Sequence, residues 1–305
     1  MKLFRSETHF DFIGKRKITL WISTTAILVS VLSILLHGGL NYGVDFAGGL
    51  VMQIKLSKLT DIAEVRSNAE AIGLKDAAVQ KFGGENEFLI RVEKSSEDLE
   101  ALSKRIQTSL QERFKDKALE IRRVEVVGPR VGKDLKTKAL WAVGLSFLAI
   151  LIYVAVRFHE FSYGLGGIVA LFHDVAVTYG AISIFNLEYS LSLLAVILTI
   201  IGFSINDTIV IFDRVRENIK KMRKEDLVTI FNVSINETLE RTILTTSTVM
   251  MVVVILFLLG GPVIHEFTIA LIVGLITGTY STVYIASPVV LFWEMRISSR
   301  RRMKR

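Results

Sequence analysis

Residues 190–212 read SLSLLAVILTIIGFSINDTIVIF, an apolar run that is long enough to cross a lipid bilayer and yet contains a carboxylate, Asp207. A charged side chain at this depth costs roughly 2.5–3.5 kcal/mol on insertion scales, so an intramembrane carboxylate normally faces a bundle interior or a wet cavity. Ser204 and Arg214 fall on the same helical face as Asp207. The run therefore predicts a membrane protein that handles ions, protons or substrate. The alternative is an Asp207 that snorkels or pairs structurally.

The rest of the chain also indicates a multi-pass membrane protein. Of its 305 residues 51% are hydrophobic, which is more than a soluble core needs, and further apolar stretches are long enough to span a bilayer. The six predicted spans are Ile18–Leu36, Ala139–Val156, Tyr163–Phe185, Ser190–Phe212, Ile243–Leu259 and Phe267–Trp293.

The distribution of lysine and arginine predicts the orientation of these spans. Basic residues cluster before the first span, after the fourth and after the sixth, whereas the short connections 186–189 and 260–266 contain none. By the positive-inside rule, both termini and the 213–241 loop are cytoplasmic, and the 37–138 segment is extracytoplasmic. Because these anchors account for most of the net charge of +7, we expect contact with membrane lipid and no nucleic-acid binding.

Strand and helix signals alternate in the segment between the first two spans. Strand-like runs flank a turn at Gly83-Gly84, and two longer runs have helical spacing, the first after a candidate cap at Thr60. The predicted elements are Leu50–Leu56, Asp61–Ile72, Ala77–Phe82, Glu87–Glu93, Glu97–Phe114 and Ala118–Val127. This β-α-β-β-α-β order is typical of a ferredoxin-like α+β domain. The segment contains no metal-spaced cluster and no nucleophile with a base, so we expect a binding or mechanical domain without cofactor, metal or catalytic residue.

Two glycine-containing motifs connect this domain to the spans. Residues 42–49 read YGVDFAGG and residues 127–132 read VGPRVG, where glycine permits tight or left-handed backbone and proline restricts φ. The predicted hinge or motif residues are Asp45, Gly48, Gly49, Gly128, Pro129 and Gly132. A plain spacer is the alternative, in which Asp45 caps a helix or pairs locally.

Polar residues in three spans form a candidate proton-coupling group. Asp174 lies next to His173 in the third span, Asn206 precedes Asp207 in the fourth, and Arg241 opens the fifth. An arginine that moves toward or away from a carboxylate changes the proton affinity of that carboxylate, which can couple a proton gradient to a change of shape. A structural hydrogen bond for Asp174 and an interfacial snorkel for Arg241 are the alternatives.

The sixth span contains a G-x-x-x-G motif at Gly274 and Gly278, which favours close helix packing more than mechanism. Pro288 predicts a kink near the end of this span. Six membrane-spanning helices with one extracytoplasmic domain between the first two are therefore expected. The predicted segments are 1–38 (cytoplasmic N-terminus and first span), 39–134 (extracytoplasmic domain), 135–296 (five-span bundle) and 297–305 (basic cytoplasmic tail).

Several motifs, in order along the chain, resemble those of the SecD/SecF family of protein-export membrane proteins, relatives of the resistance-nodulation-division exporters. The matching stretches are YGVDFAGG (42–49), VEVVGPRVGKDL (124–135), HD (173–174), SINDTIVIFDRVREN (204–218), FNVSINETLERTILTT (231–246) and GTYSTVYIASP (278–288). The resemblance implies a non-enzymatic protein of the bacterial cytoplasmic membrane that uses the proton-motive force in protein export. Asp207 is then the proton-responsive carboxylate and Arg241 its basic counterpart. The implied partners are a separate SecD subunit, the SecYEG channel, YajC and the translocating preprotein.

Three other functions are compatible with parts of the pattern. A small-molecule proton antiporter of the resistance-nodulation-division type would need larger external domains than the one small domain predicted here. An intramembrane aspartyl protease would use Asp174 and Asp207, but the Ser-Ile-Asn-Asp-Thr setting of Asp207 is not the glycine-rich one that we expect for such a catalytic aspartate. A purely structural membrane scaffold is the third alternative.

Overall fold

The structure, a computed structural model, describes residues 9–74, 77–82, 86–93 and 98–303. Gly83 and Gly84 of the predicted turn, and the end of the predicted basic tail, lie outside these residues. The chain divides into two compact units. The first comprises Met1–Leu40, Ala142–Leu187 and Ser192–Arg305, and the second comprises Asn41–Trp141 and Glu188–Leu191.

Among the described residues, six helices are long and apolar enough to cross a membrane, which confirms the six predicted spans. Together with the shorter elements, the chain order is α1 (Arg16–Leu36), α2 (Val44–Ala47), β1 (Gly49–Lys55), α3 (Ile62–Ala71), β2 (Ala78–Lys81), β3 (Glu87–Glu93), α4 (Leu99–Arg113), β4 (Glu120–Val127), α5 (Pro129–Phe158), α6 (Phe161–Ile184), α7 (Leu191–Lys221), α8 (Leu227–Leu259), α9 (Gly261–Ser281), a π-helical turn (Thr282–Ala286) and α10 (Ser287–Met303). The spans are α1, α5, α6, α7, α8 and the continuous helix from α9 to α10.

The spanning helices differ in how much of each is buried. In α6 and α7, 61% and 56% of the apolar stretch is buried, compared with 11% in α5 and in α8. Helices buried to this extent can hold polar side chains away from lipid. The apolar faces of α5 and α8 remain exposed, so lipid or partner helices can cover them.

Helices α7 and α8 continue beyond the predicted spans, so the predicted 213–241 loop is mostly a helical hairpin. Glu237 on α8 accepts hydrogen bonds from Arg214 Nε at 2.6 Å and from Asn218 Nδ2 at 2.7 Å, both on α7. Asp226 caps α8 by accepting from the Thr229 N–H at 3.2 Å. The sequence analysis ended the fourth span where charged residues begin, but these contacts stabilise the helix past that point. Arg214 therefore pairs within the hairpin.

The four-stranded sheet between the first two spans has the strand order β2-β3-β1-β4 with antiparallel neighbours, in agreement with the ferredoxin-like prediction. At its centre Met52 lies opposite Ile90 on β3 and Val124 on β4. One face of the sheet packs against α3 and α4. The fully or almost fully buried core residues include Leu50, Met52, Ile54, Val65, Phe88, Ile90, Leu102, Ile106, Leu110 and Phe114.

Helix α3 begins one residue later than predicted, and this moves the cap. Asp61 Oδ1 accepts from the Ala63 N–H at 3.2 Å, whereas the Thr60 hydroxyl donates to the Lys58 carbonyl at 2.9 Å. The N-cap of α3 is therefore Asp61 and not Thr60, because the residue directly before the first helical residue is the one whose side chain can reach the free N–H groups.

The glycine pair of the YGVDFAGG motif adopts left-handed backbone, with φ of 75° at Gly48 and 139° at Gly49. Side chains other than glycine are strained there. A Cβ at Gly48 would lie 2.8 Å from the Cα of Pro129, so the pair also permits a close approach to the VGPRVG motif. Pro129 is the first residue of α5, a position at which its missing N–H is not needed.

Gly128 separates β4 from α5, but Gly132 is not part of a linker. It lies in the first turn of α5, where its N–H donates to the Gly128 carbonyl at 3.0 Å. A Cβ at Gly132 would lie 3.0 Å from the carbonyl oxygen of Phe46, so glycine is required here for packing. The helical conformation of Gly132 contradicts a freely flexible backbone at this residue, whereas a hinge at Gly128 stays a prediction.

The last spanning helix changes to π-helical geometry over Thr282–Ala286. The sequence predicts a kink at Pro288, and the π-helical turn lies just before it. Proline has no N–H to donate to the carbonyl four residues back, and its ring crowds that carbonyl. The helix therefore widens before Pro288 and continues as α10.

Candidate functional site

Asp174 is a buried junction between helices. It lies on α6 and is 0% exposed. Its Oδ2 accepts hydrogen bonds from Ser204 on α7 and from Ser281 at the end of α9, both at 2.7 Å, and its Oδ1 lies 3.0 Å from His173 Nδ1. Because both carboxylate oxygens have partners, this geometry supports the structural interpretation of Asp174 over a relay.

Asp207 lies on α7, three residues after Ser204, and its surroundings are different. It is 2% exposed, and its Oδ2 is buried without a hydrogen-bond partner among the residues that the structure describes. A buried oxygen left unpaired costs about 1–3 kcal/mol, and more if it is charged. Such a group therefore points to a task, here the binding of a proton, a water or a partner's side chain.

Arg241 and Asn206 belong to the predicted proton-coupling group but are exposed on the surface of this chain. Arg241 on α8 is near enough to Asp207 to act on its carboxylate electrostatically. The hydroxyl of Thr242, the next residue on α8, is buried without a partner in the described part of the chain. The structure therefore brings Arg241 toward Asp207, and it leaves Asn206 on an outward face of α7.

Hydroxyl side chains of the last spanning helix complete this polar region. The Thr208 and Thr282 hydroxyls lie 3.0 Å apart, and both residues are buried. Ser281, which the sequence places near the G-x-x-x-G packing motif, and Thr282 were not among the predicted proton-coupling residues. The sequence feature that could have identified them is the hydroxyl-rich stretch GTYST at 278–282, which is unusual in an apolar span and lies close to Pro288. π-helical turns inside α-helices are often found at functional sites.

Helix α9 approaches α7 closely at this level. A Cβ at Gly278 would lie 3.1 Å from the Cβ of Ser204. A larger residue at position 278 would crowd Ser204, whose hydroxyl donates to Asp174. The G-x-x-x-G motif thus packs helices, as predicted, and the packing sets the position of the polar groups.

The predicted motif residue Asp45 has a partner in the second compact unit. Its Oδ2 accepts a hydrogen bond from the N–H of Leu191 at 2.9 Å. This agrees with the alternative in which Asp45 caps a helix or pairs locally.

The chemistry that this region can perform is proton binding. Asp207 is buried, and its Oδ2 has no hydrogen-bond partner among the described residues. The positive charge of the Arg241 guanidinium acts on this carboxylate, so a movement of Arg241 would change how readily Asp207 binds a proton. Within the described residues, no group of three or more His, Asp or Glu side chains is arranged to hold a metal ion.

Two parts of the chain match models of known protein families. Residues 106–296 match the family described as "Protein export membrane protein SecD/SecF, C-terminal", and residues 33–58 match the "SecD/SecF GG Motif". The first match includes the region around Asp174 and Asp207. The second includes Asp45 and the Gly48-Gly49 pair.

Curated relatives match over nearly the whole length of the chain. The "Protein translocase subunit SecF" of Magnetococcus marinus is 43% identical over 96% of this chain and 95% of its own length. That of Calditerrivibrio nitroreducens is 42% identical over 95% of this chain and 96% of its own length.

Solved structures match the same fold. The crystal structure of SecDF from Thermus thermophilus, a translocon-associated membrane protein, superposes with a TM-score of 0.83 at 32% identity and covers 96% of this chain. SecDF in its super-membrane-facing form gives a TM-score of 0.72, also at 32% identity. The chain spans 40% of the length of the first SecDF chain and 41% of the second. This multi-pass membrane protein belongs to the SecD/SecF family of protein export membrane proteins.

Proposed function

We propose that this chain is the SecF-type subunit of an accessory Sec export complex and uses the proton-motive force to support preprotein translocation. Support comes from the full-length relatives, which are protein translocase subunits, and from SecDF, which is translocon-associated. Because the chain spans only 40% of the SecDF chain, we propose that a separate SecD-type subunit supplies the rest. The complex then acts with the SecYEG channel, and YajC is a further partner.

The buried, unpartnered carboxylate oxygen of Asp207 is the observation that carries this proposal. In the proposed cycle a proton enters from the extracytoplasmic side and neutralises Asp207, which weakens the electrostatic attraction between Asp207 and Arg241. Release of the proton to the cytoplasm restores that attraction. Because α8 is little buried within the chain, it can shift when the attraction changes. Each elementary charge that crosses the membrane supplies about 2.3 kcal/mol per 100 mV.

The test is Asp207→Asn, which keeps the size and most of the hydrogen bonding of the side chain but removes its titration. We expect this variant to insert and to assemble with a SecD-type subunit, and to lose gradient-stimulated translocation of a preprotein in inverted membrane vesicles. Arg241→Met should lose it as well. The measurement compares translocation with and without a proton gradient.

Asp213→Asn is the matched control. Asp213 lies on the same helix as Asp207, but it is partly exposed and pairs with Arg157 at 3.0 Å, so its loss should change the gradient response little. Full stimulation in Asp207→Asn would refute the proton-coupling role. Poor assembly of all three variants would favour the structural interpretation of these residues.

We further propose that the protein lies in the bacterial cytoplasmic membrane with both termini in the cytoplasm. The basic flanks of the spans support this orientation. The segment boundaries 39–134 and 135–296 are part of the same proposal. The exposed apolar faces of α5 and α8 are suited to contact with lipid and with a SecD-type subunit.

The protease alternative has less support. Two catalytic aspartates would share a proton and hold a water between them. Asp174 instead accepts hydrogen bonds from Ser204 and Ser281 on two other helices, while Asp207 Oδ2 has no partner among the described residues. This difference is expected if Asp174 joins helices and Asp207 binds a proton, and it is not expected of a catalytic pair. The protein translocase relatives also favour a transport function.

A further inference from the structure

The connection between α6 and α7 belongs to the extracytoplasmic unit. Residues Glu188–Leu191 group with Asn41–Trp141 and not with the helices on either side of them. The carbonyl of Tyr189 accepts from the Gly43 N–H at 2.9 Å, and the Tyr189 N–H donates to the Asn41 carbonyl at 2.7 Å. These bonds form a parallel β-bridge next to the YGVDFAGG motif. We call residues 188–191 the bridging segment.

Side chains add to the backbone contacts of the bridging segment. The Tyr189 ring stacks on Phe46, with centroids 5.2 Å apart and an interplanar angle of 17°. Glu188 forms an ion pair with Arg91 on β3. The Glu188 and Arg91 side chains are only 21% and 12% exposed, so the pair is screened less than a surface ion pair. A Cβ at Gly43 would lie 2.6 Å from Glu188 Oε1, so glycine leaves room for this carboxylate.

Asp45 fixes the last residue of the bridging segment. Its Oδ2 accepts from the N–H of Leu191 at 2.9 Å, although the two residues are 146 positions apart. Leu191 is the first residue of α7, so Asp45 satisfies one of the N–H groups that a helix start leaves free. A carboxylate at that end is also favoured by the helix dipole. Asp45 therefore acts as a helix cap that is remote in sequence.

We infer that Asp45 is a positioning residue for Asp207, because it ties the first residue of α7 to the extracytoplasmic unit. Helix α7 is continuous from Leu191 through Asp207 to Lys221. When the unit that contains the bridging segment moves, it therefore moves the start of α7, the helix that carries Asp207. The hydrogen bond between Asp45 and Leu191 and the ion pair between Glu188 and Arg91 stay formed while the complex supports translocation. This inference rests on the proposed function.

The first test compares Asp45→Ala, which loses the acceptor, with Asp45→Asn, which keeps one. In vesicles that contain the chain with a SecD-type subunit, we expect Asp45→Ala to lose gradient-stimulated translocation several-fold and to shift its pH profile. Asp45→Asn should rescue both. Asp98→Ala is the matched control, since Asp98 caps α4 by accepting from the Glu100 N–H at 3.1 Å and does not contact the bridging segment. A wild-type response and pH profile in Asp45→Ala would overturn the inference.

The second test measures the contact without any export. The chain has no cysteine, so Ser190→Cys provides a unique site for a spin label in the bridging segment. We expect slow label motion in the otherwise wild-type chain and with Asp45→Asn, and fast motion with Asp45→Ala. Unchanged motion in Asp45→Ala would overturn the capping contact. If the wild-type complex shows no gradient response, the proposed function fails, whereas the label still reports on the contact.

The third test asks whether the contacts stay closed. In the cysteine-free chain, Arg91→Cys and Glu188→Cys can be joined by a short bismaleimide, which replaces the ion pair by a covalent link. Full gradient-stimulated translocation after cross-linking is the expected result, with each single cysteine variant as control. A loss of stimulation that appears only on cross-linking would show that the contacts open, and would overturn the inference.

Discussion

Asp174 and Asp207 are both buried carboxylates on inner helices, but among the residues that the structure describes only Asp174 has hydrogen-bond partners for both of its oxygens. An acceptor with serine donors on two other helices holds these helices together. The unpartnered oxygen of Asp207 can gain a hydrogen bond on protonation. At the scale of single residues, the local hydrogen bonding therefore distinguishes Asp174 from Asp207, and Asp207 is the residue that we propose binds the proton.

This difference predicts opposite outcomes for matched substitutions. Asp174→Ala removes the acceptor of Ser204 and Ser281, and since interhelical hydrogen bonds in membranes average about 0.6 kcal/mol, we expect a loss of about 1 kcal/mol of stability. Asp174→Asn keeps a carbonyl acceptor and should retain the gradient response that Asp207→Asn loses. Thermal unfolding in detergent and vesicle translocation measure the two effects. A well-folded Asp174→Asn without a gradient response would identify a relay.

At the scale of elements, the segment before α1 is attached to the N-terminal part of α8. The N–H groups of Phe12 and Ile13 donate to Asn232 Oδ1, both at 3.0 Å, and Asn232 Nδ2 donates to Asp11 Oδ1 at 2.9 Å. Asp11 Oδ1 also accepts from the Gly14 N–H at 2.8 Å. The Gly14 and Asn232 hydrogen bonds hold the pKa of Asp11 below its ordinary value of 3.8.

The lowered pKa of Asp11 predicts the pH dependence of this attachment. A carboxylate with a depressed folded-state pKa stabilises the folded state above its unfolded pKa of about 3.9, and this contribution is lost as the pH falls through the folded value. We expect the Phe12 and Ile13 amides to lose protection in hydrogen exchange over that acidic range, after correction for intrinsic rates. Asp11→Asn is the control and should abolish the pH dependence. The same dependence in Asp11→Asn would assign it to another group.

The elements show what the sequence could and could not predict. Apolar periodicity located the spans and the strands, for example β3 at Glu87–Glu93, because both signals are local. The contact of Asp174 with Ser281 joins residues 107 positions apart, and no local pattern specifies it. The helical part of the 213–241 connection was missed because hydropathy ends where charge begins, whereas the helix is stabilised by Glu237 and its partners.

At the scale of the whole molecule, the six spans predict a definite topology. A reporter fused after Leu227, at the start of α8, should lie in the cytoplasm, and one fused after Gly83 should lie on the extracytoplasmic side, because basic residues remain on the cytoplasmic side. Alkaline phosphatase and fluorescent-protein fusions measure the two locations, with a fusion after Arg305 as the cytoplasmic control. An extracytoplasmic signal at Leu227 would contradict the orientation of every span.

The first and last strands of the sheet are neighbours, and Gly49 at the start of β1 lies opposite Val127 at the end of β4. The chain thus enters and leaves this domain at adjacent residues. A force that pulls Gly49 and Val127 apart would break the hydrogen bonds between β1 and β4 one residue pair at a time, starting at Gly49. It would not act on all the pairs at once. A sheet pulled in this way separates under small forces. Force is therefore transmitted through this domain by compression, or through contacts away from its two ends.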